Sequence, residues 1–452
     1  MTSGDRGHPP EQWGSSLGFV LAAAGSAVGL GNLWGFAYRA SQGGGAAFVV
    51  LYLLIVAVVC LPVLVAEMVL GRSTGHAPLL APITAGGRRW APLGWLFMAA
   101  AIGILSYYAV LMGWTGRSLI HALSAPLPAD IPAAERFFAG ISSGGDAVLG
   151  HLISLALTGV VVAAGIKAGI ERLTRWAMPL LFLLLLALVI WAAFLPGAHE
   201  GYNGFLLRWD ASKLTDLTTI RNAFTQAFFS IGTGIGAILA YSTYLNRRSG
   251  IPGEAVAVVG MDTAVGLMAG CITFPLVASF GLVDVVSGST VGTLFISLPT
   301  GLASLGGAGR VVAALFFLLA YVAAITSSVS LLEVPVSSLM DRLGWSRSRS
   351  VWPMVLLIAV IGLPSCLDVT VLERMDALFG GVCLIAGGLL LALLLGWQVP
   401  DRFRTDLLES GSSPDLVRLL RWALRWISVP AISLGLLISI IDLAKSWSGA
   451  GA

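Results

Sequence analysis

"AAAGSAVGLGNLWGF", residues 22–36, puts four glycines (Gly25, Gly29, Gly31, Gly35), a serine and an asparagine inside the first long apolar stretch of the chain. In lipid, an unpaired backbone amide or carbonyl finds no water, so a spanning segment is expected to keep its helix regular. Glycine works against that, being among the poorest residues at holding a helix. Two readings follow. The glycines let a neighbouring helix approach closely, as the small-xxx-small pair Gly25 and Gly29 would, or the helix opens here.

A second stretch bears on the choice. "AFFSIGTGIGAILAY", residues 227–241, carries Gly232, Gly234 and Gly236 beside Ser230 and Thr233. Either stretch alone reads as packing. Together, each beside a hydroxyl or amide and each near the middle of its apolar run, they read as a binding site. They lie five spans apart. That is an odd number, so a repeat of that length emerges upside down. This is the pattern of inverted-repeat transporters, in which two helices unwind around one midplane site. Freed carbonyls there suit a cation, and freed amides suit an anion.

Composition fixes the class. Of 452 residues, 57% are apolar and 11% charged, against about 25% charged in soluble domains. Runs such as "AFVVLYLLIVAVVCLPVLVAEMVL" (47–70) exceed the ~20 residues that cross a bilayer core. The expectation is an all-α membrane protein with eleven transmembrane helices, near 14–40, 44–71, 90–124, 147–165, 169–195, 218–246, 252–282, 308–341, 350–364, 374–397 and 418–446. The ninth is short. Residues 1–450 form one transporter domain, with 14–195 and 218–397 as the two inverted repeats of a 5+5 arrangement and 418–446 as an extra helix. The N-terminus lacks a cleavable signal pattern, and the tail "SWSGAGA" is expected to be disordered. Cys60, Cys271, Cys366 and Cys383 have no metal spacing and read as small core residues. Five scattered histidines, with no nucleophile, metal or phosphate motif, argue against an enzyme.

Arginines and lysines gather in alternate loops, including 71–90, 167–175, 244–250, 341–350 and 401–405. The loops between them (128–137, 197–210, 281–290, 365–376) are poorer in basic residues. The basic set belongs in the cytoplasm. The chain is then a multi-pass plasma (bacterial inner) membrane protein with a cytoplasmic N-terminus and an extracytoplasmic C-terminus.

Several polar residues stand in apolar runs. Asp262 lies roughly 10 residues, or about 15 Å, into its span. An ion or proton role is the default for such a carboxylate; a protonated Asp in a hydrogen-bond network is the alternative. Thr326, Ser327, Ser328 and Ser330 either bond back to their own helix or, for the first two, offer hard oxygens to Na⁺. Tyr107 and Tyr108 are packing residues or donors to a substrate carboxylate. Glu67 and Glu333 read as structural hydrogen-bonders.

With "SSLGFVLAAAGSAVGLGNLWGF", "GGGAAFVVLYLL", "EMVLGR", "SYY", "QAFFS", "GAILAYSTY", "ITSS" and "RMD" in place, the chain resembles the neurotransmitter:sodium symporter family, from Trp13 to the tenth span. The resemblance implies the leucine-transporter fold, helices 1 and 6 unwound at mid-membrane, and two Na⁺ sites. One would use Ala27, Asn32, Ser230 and Asp262 with the substrate's carboxylate. The other would use the carbonyls of Gly25, Val28 and Ala323 with the hydroxyls of Thr326 and Ser327. Oxygens without soft ligands suit a hard cation. The substrate carboxylate would meet Leu30, Gly31 and Tyr108; its ammonium, the carbonyls of Ala27, Phe229 and Ser230. Ile104, Phe229, Gly232, Ile235, Ser327 and Leu331 would line the side-chain pocket, with Phe229 as its lid. That lining is apolar. Gly232 and Ile235 are smaller than the residues they replace in the leucine transporter, so a large aliphatic or aromatic amino acid is expected. Asp262 would supply the negative charge that animal members take from chloride, which implies chloride-independent transport.

The sequence departs from the family pattern in three places. Gly35 stands where an arginine usually pairs with the aspartate at Asp376, Ala37 replaces a proline, and Pro10 replaces an arginine expected to pair with Asp341. Both aspartates are expected to lack those partners unless a neighbour such as Arg374 or Arg6 substitutes, and the outer gate is expected to be weak. The resulting reading is Na⁺-coupled amino acid symport by alternating access, in a lipid bilayer, with one copy sufficient and no nucleic acid partner. Its rivals are a proton-coupled transporter of the same fold and a Na⁺-dependent binding protein without flux.

Overall fold

The computed structural model describes residues 11–247, 249–281 and 293–448. Arg6, Pro10, most of the 281–290 loop and the last four residues lie outside them. Among the described residues every regular element is helical. The chain runs through α1 (Ser16–Ala27), α2 (Gly31–Gln42), α3 (Ala46–Thr74), α4 (Arg88–Ser124), α5 (Gly144–Ala163), α6 (Ile166–Ala193), α7 (Leu217–Ile231), α8 (Ala237–Ser242), α9 (Ile251–Phe280), α10 (Gly306–Leu343), α11 (Arg347–Leu367), α12 (Val369–Gln398) and α13 (Pro414–Ile441).

Nine of these are long and apolar enough to cross a membrane, or ten when α1 and α2 count as one bent span. α7 and α8, at 15 and 6 residues, are each too short to cross alone. The ninth expected span is longer than its apolar run suggested: α11 starts at Arg347 and ends at Leu367. The loops are less bare than the sequence implied. Helices at Ile131–Ser142, Leu298–Ala303 and Pro400–Glu409 cover the ends of the bundle. Mixed composition hid the first and third, and shortness the second, from a search for long apolar runs.

α4 and α10 pack along one another and form the centre of the bundle, with α1 against α9 and α10. The two broken elements are thus wrapped by the longest unbroken ones. Local signals set their starts. Ser15 Oγ accepts the Gly18 amide at 2.9 Å and caps α1, and an Asp216 oxygen accepts the Thr219 amide at 3.0 Å and caps α7. Both caps satisfy amides that have no partner within a helix's first turn.

Candidate functional site

Both glycine-rich stretches open, for different reasons. α1 ends at Ala27, three residues intervene, and α2 leaves at 69° to it. No glycine here has positive φ; what the stretch needs is the missing side chain. A Cβ on Gly29 would lie 3.1 Å from the Tyr108 hydroxyl and 3.2 Å from that of Ser327. One on Gly25 would lie 3.1 Å from Thr326 Cβ, and one on Gly31 would enter the Phe229 ring. Between α7 and α8 the need is conformational: Gly232, Gly234 and Gly236 have φ of 65°, 95° and 84°, a region other residues rarely adopt.

The open link between α7 and α8 is held from outside. Both carboxylate oxygens of Glu67 on α3 accept backbone amides, Gly234 at 2.9 Å and Leu239 at 3.2 Å. Glu67 is fully buried, so its structural role has a definite object: it replaces helix bonds that the unwound segment gives up. Glu67→Gln would leave one buried amide without an acceptor, at a cost of about 1–3 kcal/mol. A melting temperature several degrees lower in detergent is the expected result, read by thermal unfolding.

At the first break, four side chains from four helices meet. The Asn32 amide nitrogen donates to Ser230 Oγ at 2.8 Å and to Asp262 Oδ1 at 2.5 Å. Ser230 Oγ donates to Asp262 Oδ2 at 2.5 Å. The Tyr52 hydroxyl lies 3.4 Å from both Ser230 and Asp262. All four are buried. A buried carboxylate with only neutral partners is strongly favoured to hold a cation or a proton. Tyr52 was not singled out from the sequence. The only signal for it was one hydroxyl in the run "GGGAAFVVLYLL".

A second oxygen cluster lies where α1 ends against α10. The Ser327 hydroxyl is 2.9 Å from the Val28 carbonyl and 3.2 Å from those of Gly25 and Ala323. Thr326 Oγ1 donates to the Ala323 carbonyl at 2.9 Å. Helix C-termini present unpaired carbonyls and a partial negative charge, so the end of α1 points its own oxygens at this cluster. Ser328 and Ser330 instead bond back within α10, at 2.9 and 2.8 Å. Ser328 also meets Thr158, and Ser330 meets Ser26.

Several of the residues expected around a substrate come together beside these clusters. The Leu30 amide, at the start of α2, donates to the Tyr108 hydroxyl at 3.2 Å. Phe229 lies against Gly31. Nothing occupies the space where a Gly232 side chain would point. Ile104 precedes Tyr108 by one helical turn and Leu331 follows Ser327 by one, so each shares its partner's helix face. Ala27, Ile104, Ile235 and Leu331 are all buried. The Thr233 hydroxyl is buried in the unwound link with no hydrogen-bond partner. In the sequence it stands only as a hydroxyl beside the glycines.

Each gate aspartate has partners other than the expected arginine. Asp376 is not alone: the Tyr107 hydroxyl donates to it at 2.6 Å, and Arg39 is close enough to attract it electrostatically. Arg39, one turn after Gly35, donates to Gln226 on α7. Its Nη1 would lie 3.2 Å from a Cβ at residue 35. The guanidinium therefore reaches the space Gly35 leaves open, and Arg374 is exposed instead of serving there. At the opposite end, Asp341 pairs with His76 Nδ1 at 3.0 Å and accepts the Ala77 amide at 2.9 Å. That end is also latched by Arg347, which bonds Glu333 at 2.6 Å and Glu11. Trp13 Nε1 donates to the Tyr241 carbonyl at 2.9 Å.

Among the described residues no three His, Cys, Asp or Glu side chains come together as a transition-metal site would require. The polar clusters are hydroxyl, amide, carbonyl and one carboxylate, a donor set for hard alkali cations.

Comparison with known proteins places this geometry. The model of the sodium:neurotransmitter symporter family matches residues 10–136 and 133–448. An uncharacterized sodium-dependent transporter of Bacillus subtilis, YhdH, is 34% identical over 434 residues, covering 91% of this chain and 93% of its own. Another, from Methanocaldococcus jannaschii, is 33% identical over 78% of this chain and 74% of its own. The solved structure of MhsT in complex with L-phenylalanine aligns with a TM-score of 0.85 at 35% identity, covering 95% of this chain and all of that one. The broken helices and their oxygen clusters thus sit in a chain that belongs to the sodium:neurotransmitter symporter family, a sodium-dependent transporter of the leucine-transporter fold and not an enzyme.

Proposed function

We propose that the protein is a Na⁺-coupled symporter that imports large apolar amino acids by alternating access, without chloride. The observation that carries this reading is the convergence of buried Asn32, Ser230 and Asp262, with Ser230 two residues before the open space at Gly232. Asn32, Ser230, Asp262 and the Ala27 carbonyl form one Na⁺ site, completed by the substrate's carboxylate. Gly25, Val28, Ala323, Thr326 and Ser327 form the second. The substrate carboxylate meets the amides at Leu30 and Gly31 and the Tyr108 hydroxyl; its ammonium meets the carbonyls of Ala27, Phe229 and Ser230. Because ion and substrate share a boundary, each strengthens the other's binding, and the coupling is reciprocal.

The apolar wall of Ile104, Phe229, Ile235 and Leu331 selects the side chain. The MhsT complex with L-phenylalanine supports an aromatic or large aliphatic substrate. α7 and α8 count as one interrupted span, which brings the total to eleven. Residues 14–195 and 218–397 are the inverted repeats, and one copy in the bilayer suffices. The Lys/Arg-rich end faces the cytoplasm.

A binding panel of amino acids with and without Na⁺ tests this. Phenylalanine and leucine are expected to bind only with Na⁺, and charged amino acids not at all; Na⁺-independent binding would reject the reading. In proteoliposomes, replacing chloride with gluconate is expected to leave Na⁺-driven uptake unchanged within about twofold. A large drop would reject chloride independence alone.

A further inference from the structure

The strongest unassigned feature lies far from the central site, where Pro400–Glu409 meets the start of α13. A cavity of about 450 Å³ opens there, lined by Arg404, Arg418, Arg421, Arg425, Trp422 and Trp426. Its size falls in the range of small-ligand sites, about 300–1,000 Å³. Among the described residues, Arg404 and Arg421 bond no acid or carbonyl. Two carboxylates are nearby. Asp415 lies 3.3 Å from Arg418 with both side chains mostly exposed, and Asp401 attracts Arg425. The cavity keeps a surplus of positive charge.

One wall is fixed in advance. Arg425 donates to the Gly396 carbonyl and lies over the Trp397 ring at 5.4 Å. Trp397 in turn packs edge-on against Trp426 at 5.1 Å. The other wall is apolar and open: Trp422 and Trp426 are 53% and 58% exposed, and Leu419 beside them is 60% exposed. From there an exposed apolar row continues along α13 through Leu434 and Leu437. Tryptophan is the residue that settles at the level of lipid headgroups. Arginine forks match phosphate oxygens better than a point charge does. A free anion would use the arginines but not the tryptophan–leucine row. A molecule with a phosphate at one end and acyl chains at the other uses both.

We propose that this cavity is a binding site for the headgroup of an anionic phospholipid, with its acyl chains running along the exposed face of α13. It lies at the Arg-rich end, which faces the anionic leaflet in the orientation proposed above.

Native mass spectrometry of the delipidated protein in detergent tests the site, with phosphatidylglycerol, phosphatidylcholine and inorganic phosphate as probes. Phosphatidylglycerol is expected to bind at least tenfold more tightly than phosphatidylcholine. The double variant Arg404→Gln/Arg421→Gln is expected to lower phosphatidylglycerol affinity at least tenfold and leave phosphatidylcholine binding alone. Each arginine near an anionic surface is worth about a factor of five, so Arg404→Gln alone, at an exposed side chain, should give that smaller loss. Na⁺-dependent amino acid binding serves as the folding control. Removing two arginines elsewhere, Arg342→Gln/Arg349→Gln, should leave phosphatidylglycerol affinity within twofold. Equal binding of the two lipids, no loss in the site variants, or an equal loss in the remote variant would overturn the proposal. So would displacement of the lipid by millimolar phosphate, which would make the cavity a free-anion site.

Discussion

Replacing Asp262 with asparagine is expected to weaken Na⁺ binding at least 100-fold while leaving the protein folded. The substitution keeps the side chain's size and removes its charge. Asp262 supplies the only formal negative charge among the side chains that meet at Asn32 and Ser230, and it is fully buried. A unit charge about 4 Å from a cation is worth roughly 4 kcal/mol at an effective dielectric constant near 20. Losing most of it gives the stated factor, since each 1.4 kcal/mol is tenfold. The measurement is Na⁺ titration of amino acid binding, with thermal unfolding as the control. If Na⁺ half-saturation stays within threefold of the parent, the carboxylate is not an ion ligand. Uptake driven by a pH gradient in the parent, lost in the variant, would then assign Asp262 to proton carriage.

The reasons for the breaks were legible at two levels. That the chain opens near residues 28 and 232 could be read from glycines set in apolar runs, because few other features explain them there. Why it opens could not. At Gly25, Gly29 and Gly31 the cause is contact with Thr326, the hydroxyls of Tyr108 and Ser327, and the Phe229 ring, residues that are distant in sequence. At Gly232, Gly234 and Gly236 the cause is local φ. Glu67 looked like a buried hydrogen-bonder, but its partners, the amides of Gly234 and Leu239, become available only because the helix unwinds. The amphipathic helix at Ile131–Ser142 was missed because hydropathy alone treats a half-polar helix as loop. The partners of the gate aspartates were hidden for a similar reason. A residue-by-residue comparison sees an arginine lost at Gly35 and another at Pro10. It does not see Arg39 reaching back one turn, nor His76 arriving at Asp341 from a separate segment.

Arg39 therefore carries the second large expected effect. The pair Arg39–Gln226 ties α2 to α7 three residues before Phe229, the lid of the proposed substrate site, and Tyr107 and Asp376 sit alongside. A hydrogen bond to a charged group contributes about 1.5–3 kcal/mol, so Arg39→Ala is expected to speed amino acid escape about tenfold or more. Stopped-flow or filter-binding off-rates measure it. Gly35→Arg does not repair a weak gate on this geometry: even a Cβ at residue 35 would lie 3.2 Å from Arg39 Nη1, and a second guanidinium would be repelled by the first. That variant is expected to release substrate faster than the parent. The exchange Gly35→Arg/Arg39→Ala removes the clash and restores one cation facing Gln226 and Asp376, so its off-rate should return to within about threefold of the parent. Slower escape from Gly35→Arg alone would mean the two positions act independently and that Arg39 is not the gate's cation. An unchanged off-rate in Arg39→Ala would mean the same.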